Sequence, residues 1–524
     1  MTDPSAALPL ALLQRLCTSQ EMARMDAHAI ETVGIPGKTL MENAAGSVAA
    51  CLLRLFGEGG AKRPVVVCCG SGNNGGDGYA VARLLKADGA EVTVVKVGQP
   101  AGADAKANQA EWAARGDTVD FSSDPAAAAT RLQGAGAIVD ALFGTGLNRP
   151  VEGAAGELIA AINAAPAPIK LAVDVPSGID SDSGRVWSSA VRCSHTVALQ
   201  IGKVGCYQHP GAAFAGRTEI ADISIPVRWE PSAPATYLLN SAFVRQLLPD
   251  RPAAGHKGTF GHLLTLCGSA GMGGAALLCS LAALKVGTGL VTAGVPRGLR
   301  DSFLAAAPEL MTLSAEEGSP EAFQESQGDF FLEAARARSA VVVGCGVGRR
   351  EGTRAFVAHV TAALELPLLI DADGLNLLEG KALAARAHPT VITPHPGELL
   401  RLSGLEREDL ANDRVGQARR LAAEWGVVLL LKGAGSVVAA PGGEVFINPT
   451  GDDGLATAGT GDVLSGMIGG FLAQGLEPLA AALAGVYLHG LARDCRREEL
   501  APAYFTAGDL IEGINSALKT VAAD

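Results

Sequence analysis

The sequence is poor in aromatic residues and has no excess of basic charge. Phenylalanine, tryptophan and tyrosine make up 4% of its 524 residues, and the formal net charge is −12. An acidic chain has no long-range attraction to a phosphate backbone, so we expect no nucleic-acid partner. A small anionic ligand is compatible with this charge, because local N–H groups can outweigh the field of the whole chain.

Cysteine pairs with the spacing of metal ligands or redox motifs are also lacking. The ten cysteines are scattered, and no two of them are separated by two residues. Cys68, Cys69, Cys267 and Cys345 end apolar runs that are typical of strands. We predict that these four are buried and reduced, as in a reducing compartment.

The N-terminus lacks the charge pattern of a signal peptide. Its apolar stretch, residues 6–13, follows no basic residue and is too short to span a membrane. We therefore expect a cytoplasmic protein with no membrane partner. We also expect a homo-oligomer, although the sequence does not give the number of subunits.

Hydrophobic residues and glycine are abundant, at 48% of the chain and 66 residues. Short strands rich in valine and leucine, alanine-rich helices and glycine-rich turns predict an α/β fold with two doubly wound parallel sheets. The length favours two domains. We predict them at residues 1–226 and 255–524, with a linker and domain junction at residues 227–254.

Each predicted domain alternates strand and helix signals. The first begins with a helical stretch from Ser19, the predicted N-cap, to Ala50. Its predicted strands are residues 64–69, 91–97, 137–139 and 169–175. The predicted strands of the second domain are residues 262–267, 290–295, 340–344, 366–370, 391–393 and 427–431.

Polar residues follow three predicted strands of the first half. The glycine-rich turn 70–78 contains Asn73 and Asp77, and the two later strands end near Asp140 and Asp174. Because the carboxyl ends of parallel strands meet at one edge of the sheet, we expect these side chains to converge on one crevice. A bound cation or a hydroxylated ligand would satisfy buried carboxylates. Taken singly, each feature is also compatible with a structural turn or a helix cap.

This half resembles the N-terminal epimerase domain of bifunctional NAD(P)H-hydrate repair enzymes. The resemblance covers nearly all of residues 19–226 and depends on four motifs in the same order, at residues 40–44, 72–78, 140–146 and 174–178. It implies a Rossmann-like three-layer sandwich that epimerises C6 of a hydrated nicotinamide ring, with Asp174 as the candidate acid or base. The implied substrate contacts are Asn73, Asn74, Gly75, Gly76, Asp77, Gly144, Thr145, Gly146, Leu147, Asn148, Arg149, Pro150 and Asp174. The implied potassium ligands are Asn74, Asp140 and Ser177, which offer the oxygen donors that a hard cation prefers.

The second half contains the most informative run, residues 457–462, where two glycines and Asp462 precede a helix. Free N–H groups of a first helical turn bind anions, and a carboxylate beside them suits phosphoryl transfer to an alcohol. A glycine-rich turn before a buried helix is an equally good interpretation of these residues alone. Lys432, at another glycine-rich strand end, is either a phosphate contact or a solvated surface lysine.

Three further features of this half allow two interpretations each. Asp371 and Asp373 could orient a ligand or a Mg²⁺ ion through water, or could cap a turn. His395 lies in a loop made stiff by prolines and could contact a ligand, or could be exposed. Small residues at Gly274 and Ala275 leave room for a ring, or allow a helix to pack closely on the sheet.

Together these pieces resemble the ribokinase-like, ADP-dependent NAD(P)H-hydrate dehydratase domain, the second half of the same repair enzymes. The resemblance runs from about residue 256 to 518 and includes residues 257–258, 268–276, 308–311, 371–373, 394–398, 432–433 and 459–462. It implies hydrate contacts at Ala275, Gly346, His395 and Asp462, with Asp462 catalytic. It implies nucleotide contacts at Lys432, Gly433, Ala434, Gly435, Ser436 and Gly461, with ADP as co-substrate and Mg²⁺ on the phosphates. Many members carry threonine where this chain has Ser436, which keeps the hydroxyl.

The predicted function is therefore the repair of hydrated nicotinamide nucleotides. The first domain would convert the (R)-hydrate of NADH or NADPH into the (S)-form, and the second would dehydrate the (S)-form at the expense of ADP. Two alternatives stay open. One is a ribokinase-like kinase that phosphorylates a vitamin or a sugar alcohol, and the other is a non-catalytic, ligand-binding role for the first half.

Overall fold

The computed structural model describes residues 8–57, 63–226 and 234–523. The chain forms two compact units. Of the described residues, those from 15 to 235 belong to the first unit, and residues 8–14 and 236–523 belong to the second. The predicted linker therefore differs from the structure, because residues 236–247 form a strand and a helix of the second unit. Residues 227–233 lie outside the described part of the chain.

The first unit has a seven-stranded, wholly parallel sheet flanked by helices. The described strands of the unit, including two outside this sheet, are β1 (Gln14–Cys17), β2 (Val65–Cys69), β3 (Val92–Lys96), β4 (Asp117–Asp120), β5 (Ala137–Ala141), β6 (Ile169–Val173), β7 (His195–Leu199), β8 (Gly202–Lys203) and β9 (Arg217–Ala221). The order in the sheet is β4-β3-β2-β5-β6-β7-β9, and β1 pairs with β8. The helices are α1 (Ser19–Ala27), α2 (Gly37–Phe56), α3 (Asn73–Ala87), α4 (Ala103–Ala113), α5 (Pro125–Gln133), α6 (Gly153–Ala164) and α7 (Ala212–Ala215).

Strand β2 shows why this sheet needs helices on both faces. Val65 and Val67 belong to one apolar cluster, and Val66, between them, belongs to another. Successive side chains of a strand point to opposite faces, so a run of buried residues without alternation requires a cover on each side. All five residues of β2 are buried. This is the three-layer arrangement that the apolar runs predict.

The N-terminal helical stretch differs from the prediction at its start and in its middle. Thr18, not Ser19, is the N-cap of α1: its hydroxyl accepts from the backbone N–H of Glu21, whose side chain accepts in return from Thr18. Ser19 instead donates its hydroxyl to Asp182 at 2.7 Å. A π-helical turn at His28–Thr32 then ends the first helix before α2 begins.

The second unit has a larger sheet that is mostly parallel. Its strands are β10 (Thr236–Leu238), β11 (His262–Leu266), β12 (Leu290–Gly294), β13 (Met311–Leu313), β14 (Ala340–Val343), β15 (Leu368–Ile370), β16 (Thr390–Ile392), β17 (Val428–Leu431), β18 (Val437–Ala439) and β19 (Val445–Ile447). They are arranged as β13-β12-β11-β14-β15-β16-β17-β18-β19-β10, and the pairs β17–β18 and β18–β19 are antiparallel. The six predicted strands match β11, β12, β14, β15, β16 and β17 within two residues. The strands β10, β13, β18 and β19 were not predicted.

Thirteen helices of this unit are described. They are α8 (Ser241–Leu247), α9 (Gly273–Lys285), α10 (Arg300–Ala306), α11 (Gly328–Ala335), α12 (Glu351–Ala363), α13 (Asp373–Leu377), α14 (Gly380–Ala384), α15 (Pro396–Ser403), α16 (Arg407–Asn412), α17 (Arg414–Trp425), α18 (Thr460–Ala473), α19 (Pro478–Asp494) and α20 (Ala507–Ala523). Helix α18 is buried almost all round, since twelve of its fourteen residues are buried. Its glycines allow this: a Cβ at Gly466 would lie 2.0 Å from the carbonyl oxygen of Cys279 on α9.

The described residues contain no helix that is both long enough and apolar enough to cross a membrane. The four cysteines predicted to be buried at strand ends have no exposed surface, and they are free thiols. The predicted α/β class with parallel sheets is confirmed.

Candidate active sites

A cavity of about 570 Å³ opens at the carboxyl ends of β2, β5 and β6 in the first unit. Most of the substrate contacts predicted for this half line it: Asn73, Asn74, Asp77, Gly144, Thr145, Gly146, Leu147, Asn148, Arg149 and Asp174. Gly75, Gly76 and Pro150 are not among the lining residues. The structure therefore brings the separate motifs of the first half together at one edge of the sheet.

The two glycines outside the lining let α3 pack closely on its neighbours. A Cβ at Gly75 would lie 2.0 Å from the carbonyl oxygen of Gly70, directly after β2, and one at Gly76 would lie 2.9 Å from the Cβ of Ala105 on α4. A side chain at Gly75 would push the first turn of α3 away from the end of β2, and one at Gly76 would push it away from α4. These residues thus position their neighbours Asn74 and Asp77.

Asp140, at the end of β5, has no exposed surface. Its carboxylate accepts from the backbone N–H of Ser177 at 2.7 Å and from the Ser177 hydroxyl at 2.6 Å. Burial raises the pKa of Asp140 to about 6, although these hydrogen bonds oppose the shift. None of the ion pairs among the described residues includes Asp140, so its charge is without a positive partner there.

Asn74 completes an oxygen-rich cluster around Asp140. Its amide nitrogen donates to the carbonyl oxygen of Phe143 at 3.0 Å, which leaves the amide oxygen as a further donor atom for a cation. The Ser177 hydroxyl lies 2.8 Å from the Phe143 N–H. Buried oxygens with an uncompensated negative charge fit a hard monovalent cation, as the resemblance implies.

Asp174, directly after β6, faces the cavity in a constrained geometry. Its φ of 69° lies in the left-handed region, which a residue with a side chain seldom adopts. The carboxylate accepts from the backbone N–H of Leu199 at 3.0 Å and forms an ion pair with Lys203. Lys203 is completely buried and also donates to the carbonyl oxygen of Leu199 at 2.6 Å.

Two further carboxyl groups share the cavity with Asp174. Burial raises the pKa of Asp26 to about 6, and it raises the pKa of Asp77 well above its usual range. In both cases the charge of Asp174 adds to the shift. Among the described residues, Lys203 is the only lysine that forms an ion pair with any of the carboxyl groups of Asp26, Asp77 and Asp174. The three carboxyl groups therefore cannot all be ionised at neutral pH.

Sequence reasoning did not find Asp26 or Lys203. Asp26 lies within α1, where an acidic residue is ordinary on a helix surface. Lys203 lies in β8, shortly after the apolar strand β7 ends. Asp140 and Asp174 were found near strand ends of the same kind. That signal was present, but β7 was not among the predicted strands.

In the second unit, Lys432 forms an ion pair with Asp371. Its ammonium donates to one oxygen of Asp371 at 2.7 Å, and the hydroxyl of Ser465 donates to the other at 2.6 Å. Burial opposes the charge of Lys432, but Asp371 and Glu398 outweigh it and raise the pKa of Lys432. The lysine is therefore charged, and it is held in place by the carboxylate at the end of β15.

Helix α18 begins directly beside this ion pair. A Cβ at Gly461 would lie 3.5 Å from the Lys432 ammonium nitrogen and 3.9 Å from a carboxylate oxygen of Asp371. None of the described hydrogen bonds uses the N–H groups of Gly461 and Asp462, which belong to the first turn of the helix. Gly459, the N-cap, has a φ of 91°, which turns the chain into the helix.

A buried histidine supports the start of α18. The Nε2 of His489 donates to the carbonyl oxygen of Thr460 at 2.9 Å. Burial lowers the pKa of His489 to about 4, so the ring is neutral at neutral pH. The first turn thus has a fixed position, with two free N–H groups and a charged lysine on one side.

Asp462 has a carboxyl group that resists ionisation. Burial raises the pKa of Asp462 to about 9, and the nearby groups of Cys345 and Asp371 add to this shift. A hydrogen bond with Cys345 holds the carboxyl in its neutral form. An added positive charge at this point would be needed before the group could accept a proton at neutral pH.

His395 is the N-cap of α15. Its Nδ1 accepts from the backbone N–H of Gly397 at 3.0 Å, and the side chain of Glu398 accepts from the His395 N–H at 2.8 Å. The other ring nitrogen lies 3.3 Å from the second oxygen of Glu398. Burial, with the nearby Lys432, lowers the pKa of His395, so a neutral ring is available to a ligand.

Of the remaining predicted contacts of this half, Ala275 lies in the first turn of α9, and the others lie on loops that follow strands. A Cβ at Gly346 would lie 2.9 Å from the Cβ of Ala275, so these two predicted residues touch. The turn from Lys432 to Ser436 contains Gly433 and Gly435, both with positive φ. It includes Ala434 and leads into β18.

Comparison with known proteins addresses both halves of the chain. A family described as NAD(P)H-hydrate dehydratase matches residues 263–516, and one described as YjeF-related protein N-terminus matches residues 37–205. A bifunctional NAD(P)H-hydrate repair enzyme from Moorella thermoacetica is 39% identical over 514 residues, which is 97% of each chain. The chain belongs to the family of bifunctional NAD(P)H-hydrate repair enzymes.

Other members of this family are similar over comparable lengths. The repair enzyme of Escherichia coli is 33% identical over 517 residues, covering 98% of this chain and 95% of that one. Among solved structures, an ADP/ATP-dependent NAD(P)H-hydrate dehydratase from Bacillus subtilis, co-crystallised with ATP and Mg²⁺, is 32% identical. It covers 56% of this chain and 100% of its own, with a TM-score of 0.48. The resemblance found in the sequence motifs is confirmed.

Proposed function

We propose that this chain repairs hydrated nicotinamide nucleotides with two active sites. The first unit epimerises the (R)-hydrate of NADH or NADPH to the (S)-form, and the second dehydrates the (S)-form with ADP as co-substrate. The observation that carries the proposal is the start of α18, where Lys432, two free N–H groups and Asp462 meet. That combination suits a phosphate next to a hydroxyl group.

The dehydratase site would make the hydroxyl on C6 a better leaving group. Hydroxide leaves poorly at neutral pH, whereas a phosphate ester leaves readily. The hydroxyl oxygen attacks the terminal phosphorus of ADP, AMP departs, and the N–H groups of Gly461 and Asp462 stabilise the charge of the transferring group. The lone pair of the ring nitrogen then expels phosphate as the C6–O bond breaks, and loss of a proton from C5 to solvent restores the C5–C6 double bond of NAD(P)H.

Asp462 would position the hydroxyl before it accepts its proton. A neutral carboxyl can hydrogen-bond to the substrate hydroxyl, and its high pKa makes it a strong base once it is ionised. Lys432 already lowers the pKa of Asp462, although less than burial raises it. We infer that the hydrate's own geometry, with Ala275 and Gly346 beside the ring, brings the hydroxyl to this carboxyl.

The described residues do not offer a protein-bound Mg²⁺ site at Asp371 and Asp373. Asp371 is paired with Lys432, and Asp373 accepts from the guanidinium of Arg349 at 2.8 Å. Both carboxylates of the predicted pair are therefore neutralised by cationic side chains. We propose that Mg²⁺ arrives on the phosphates of ADP, which is how this ion is commonly carried.

The epimerase site supplies carboxyl groups in different surroundings. Asp174 forms an ion pair with Lys203, while burial favours the neutral form of Asp77. A carboxylate that accepts a proton and a neutral carboxyl that donates one are sufficient for proton shuffling at the hydrated ring. We propose Asp174 as the base, with Asn73 and the loop from Gly144 to Arg149 holding the nucleotide.

Asn74, Asp140 and Ser177 would hold a potassium ion in this unit. The support is the buried carboxylate of Asp140, which has no cationic partner among the described ion pairs. When bound, the ion supplies a positive charge that fixes the loop after β5 against the end of β6. The free thiols of nine buried cysteines support a reducing compartment such as the cytoplasm. A homo-oligomer stays a prediction.

The test supplies each hydrate epimer to the full chain and follows NADH absorbance. With (S)-hydrate, we expect NADH to form only when ADP is present. With (R)-hydrate and ADP, we expect NADH formation that depends on the epimerase site and is lost in Asp174→Asn. No gain in absorbance with either epimer, together with ADP- or ATP-dependent phosphorylation of another alcohol, would favour the kinase alternative.

A further inference from the structure

Three cysteines of the second unit meet directly behind the α18 turn. The sulfur atoms of Cys267, Cys279 and Cys345 all lie within 4.8 Å of one another. All three side chains are completely buried and none forms a disulfide. Cys267 follows β11, Cys345 follows the neighbouring strand β14, and Cys279 is on α9, so three separate elements position the group.

This spacing is close to that of a thiolate metal site. A zinc–sulfur bond is about 2.3 Å long, which places the sulfurs around one ion roughly 4 Å apart. The thiols need only a small contraction to reach that distance.

Asp462 supplies a fourth donor next to the sulfurs. The thiol of Cys345 lies beside its carboxyl group and adds to the rise in the pKa of Asp462. Zinc takes four ligands in a tetrahedral arrangement and accepts carboxylate oxygen together with cysteine sulfur. Softer ions such as Cu⁺ are satisfied by sulfur alone, so the nearby oxygen favours Zn²⁺.

We propose that Cys267, Cys279 and Cys345 form a Zn²⁺ site that recruits Asp462 and thereby switches off the dehydratase site. Each thiol and the carboxyl group of Asp462 release a proton to solvent as they bind the ion, and no electron is transferred. An Asp462 carboxylate bound to zinc no longer reaches the hydroxyl of the hydrate. The inhibition of dehydration by zinc rests on the proposed function, whereas zinc binding can be measured without it.

The binding test uses the full chain, reduced and freed of metal with a chelator. After dialysis against Zn²⁺ and removal of the excess, metal content is measured by atomic emission. We expect one more zinc ion per chain in the wild type than in Cys279→Ala. Cys51→Ala is the matched control, because Cys51 is also buried but lies in the first unit. We expect this control to retain the ion.

Co²⁺ offers a spectroscopic form of the same test. We expect a sulfur-to-cobalt absorption band in the wild type and in Cys51→Ala, and its absence in Cys279→Ala. Because Cys279→Ala could lose its fold, the wild type is also heated with and without Zn²⁺. A ligand that binds only the folded state raises the melting temperature.

The activity test compares both reactions with and without one equivalent of Zn²⁺. Dehydration of the (S)-hydrate should fall at least tenfold in the wild type and in Cys51→Ala, but not in Cys279→Ala. Epimerisation should not change. Equal zinc content in wild type and Cys279→Ala, or retention of Cu⁺ without Zn²⁺, would overturn the site. If zinc binds at the cysteines but dehydration is unaffected, the switch is wrong. A zinc-free chain that never dehydrates the hydrate contradicts the proposed function instead.

Discussion

Each unit has a lysine–aspartate ion pair near the end of a parallel strand. The less buried partner is the aspartate in the first unit and the lysine in the second. In the first unit the side chain of Lys203 is completely buried, and that of Asp174 is 10% exposed and lines the cavity. In the second unit the side chain of Asp371 is 1% exposed, and that of Lys432 is 20% exposed. The same pair of residue types thus presents a carboxylate in one site and an ammonium in the other.

The less buried partner of each ion pair indicates which ligand group the site can contact. A carboxylate that lines a cavity and is paired with a buried lysine can accept a proton from a ligand. An exposed lysine backed by a buried carboxylate stays charged and can bind a phosphate. The buried partner in each pair acts by positioning and by charge, so substituting it tests this contrast.

The largest expected effect is that of Asp462→Asn on the second site. The amide keeps the shape of the side chain but cannot accept the proton of the hydroxyl. We expect the kcat of dehydration to fall by about 10³-fold, as for loss of a general base. Steady-state NADH formation from (S)-hydrate and ADP measures it. The exposed Asp453→Asn is the matched control, and an unchanged kcat in Asp462→Asn would remove Asp462 from the mechanism.

The next effect should appear in the first site with Asp174→Asn. We expect epimerisation of the (R)-hydrate to slow by about 10²-fold, since the carboxylate next to Lys203 is lost. Dehydration of the (S)-hydrate by the same protein should be unaffected and serves as an internal control. Asp88→Asn, at an exposed position, controls for the substitution itself. Normal epimerisation by Asp174→Asn would support a purely ligand-binding first half.

A smaller effect should separate the two lysines. Lys432→Met removes a charged hydrogen-bond donor from the phosphate site, so we expect the KM for ADP to rise by about tenfold to a hundredfold. Lys203→Met should leave that KM unchanged and slow epimerisation instead. Initial rates at varied ADP, for both variants, provide the measurement. A change in the KM for ADP with Lys203→Met would contradict the contrast between the two pairs.

The smallest effect concerns stability and pH in the second unit. Burial raises the pKa of Glu398 from 4.5 to about 7. Between these pH values the folded chain keeps a proton that the unfolded chain releases, so this group's contribution to the free energy of unfolding falls as the pH rises. Relative to Glu398→Gln, the wild type should lose at most about 3 kcal/mol across this window. Urea unfolding from pH 4.5 to 8 measures the difference.

The exposed Glu424→Gln is the control for this measurement, because Glu424 is half exposed on α17. Its difference from the wild type should not vary across the same window. A difference between the wild type and Glu398→Gln that stays constant from pH 4.5 to 7 would show that Glu398 is ionised throughout.

The sequence predicted β2, β5 and β6 at the first site and β14 to β17 at the second, because runs of buried apolar residues carry a strong local signal. It did not predict β7, whose last residue Leu199 lines the first cavity, nor β18 and β19. It also left open whether His395 was exposed or bound a ligand. The structure gives this side chain a further part as the N-cap of α15, which depends on the angle at which the loop meets the helix.

The order of the motifs, the family and the residue types at each strand end follow from the sequence alone, since they are local properties of the chain. The folded structure was needed to show which partner of each lysine–aspartate pair is less buried, that Asp26 joins the first cavity, and that three distant cysteines meet. Burial and charge interactions depend on distances through space. Those distances are set by how helices pack on the sheets, and no local pattern records them.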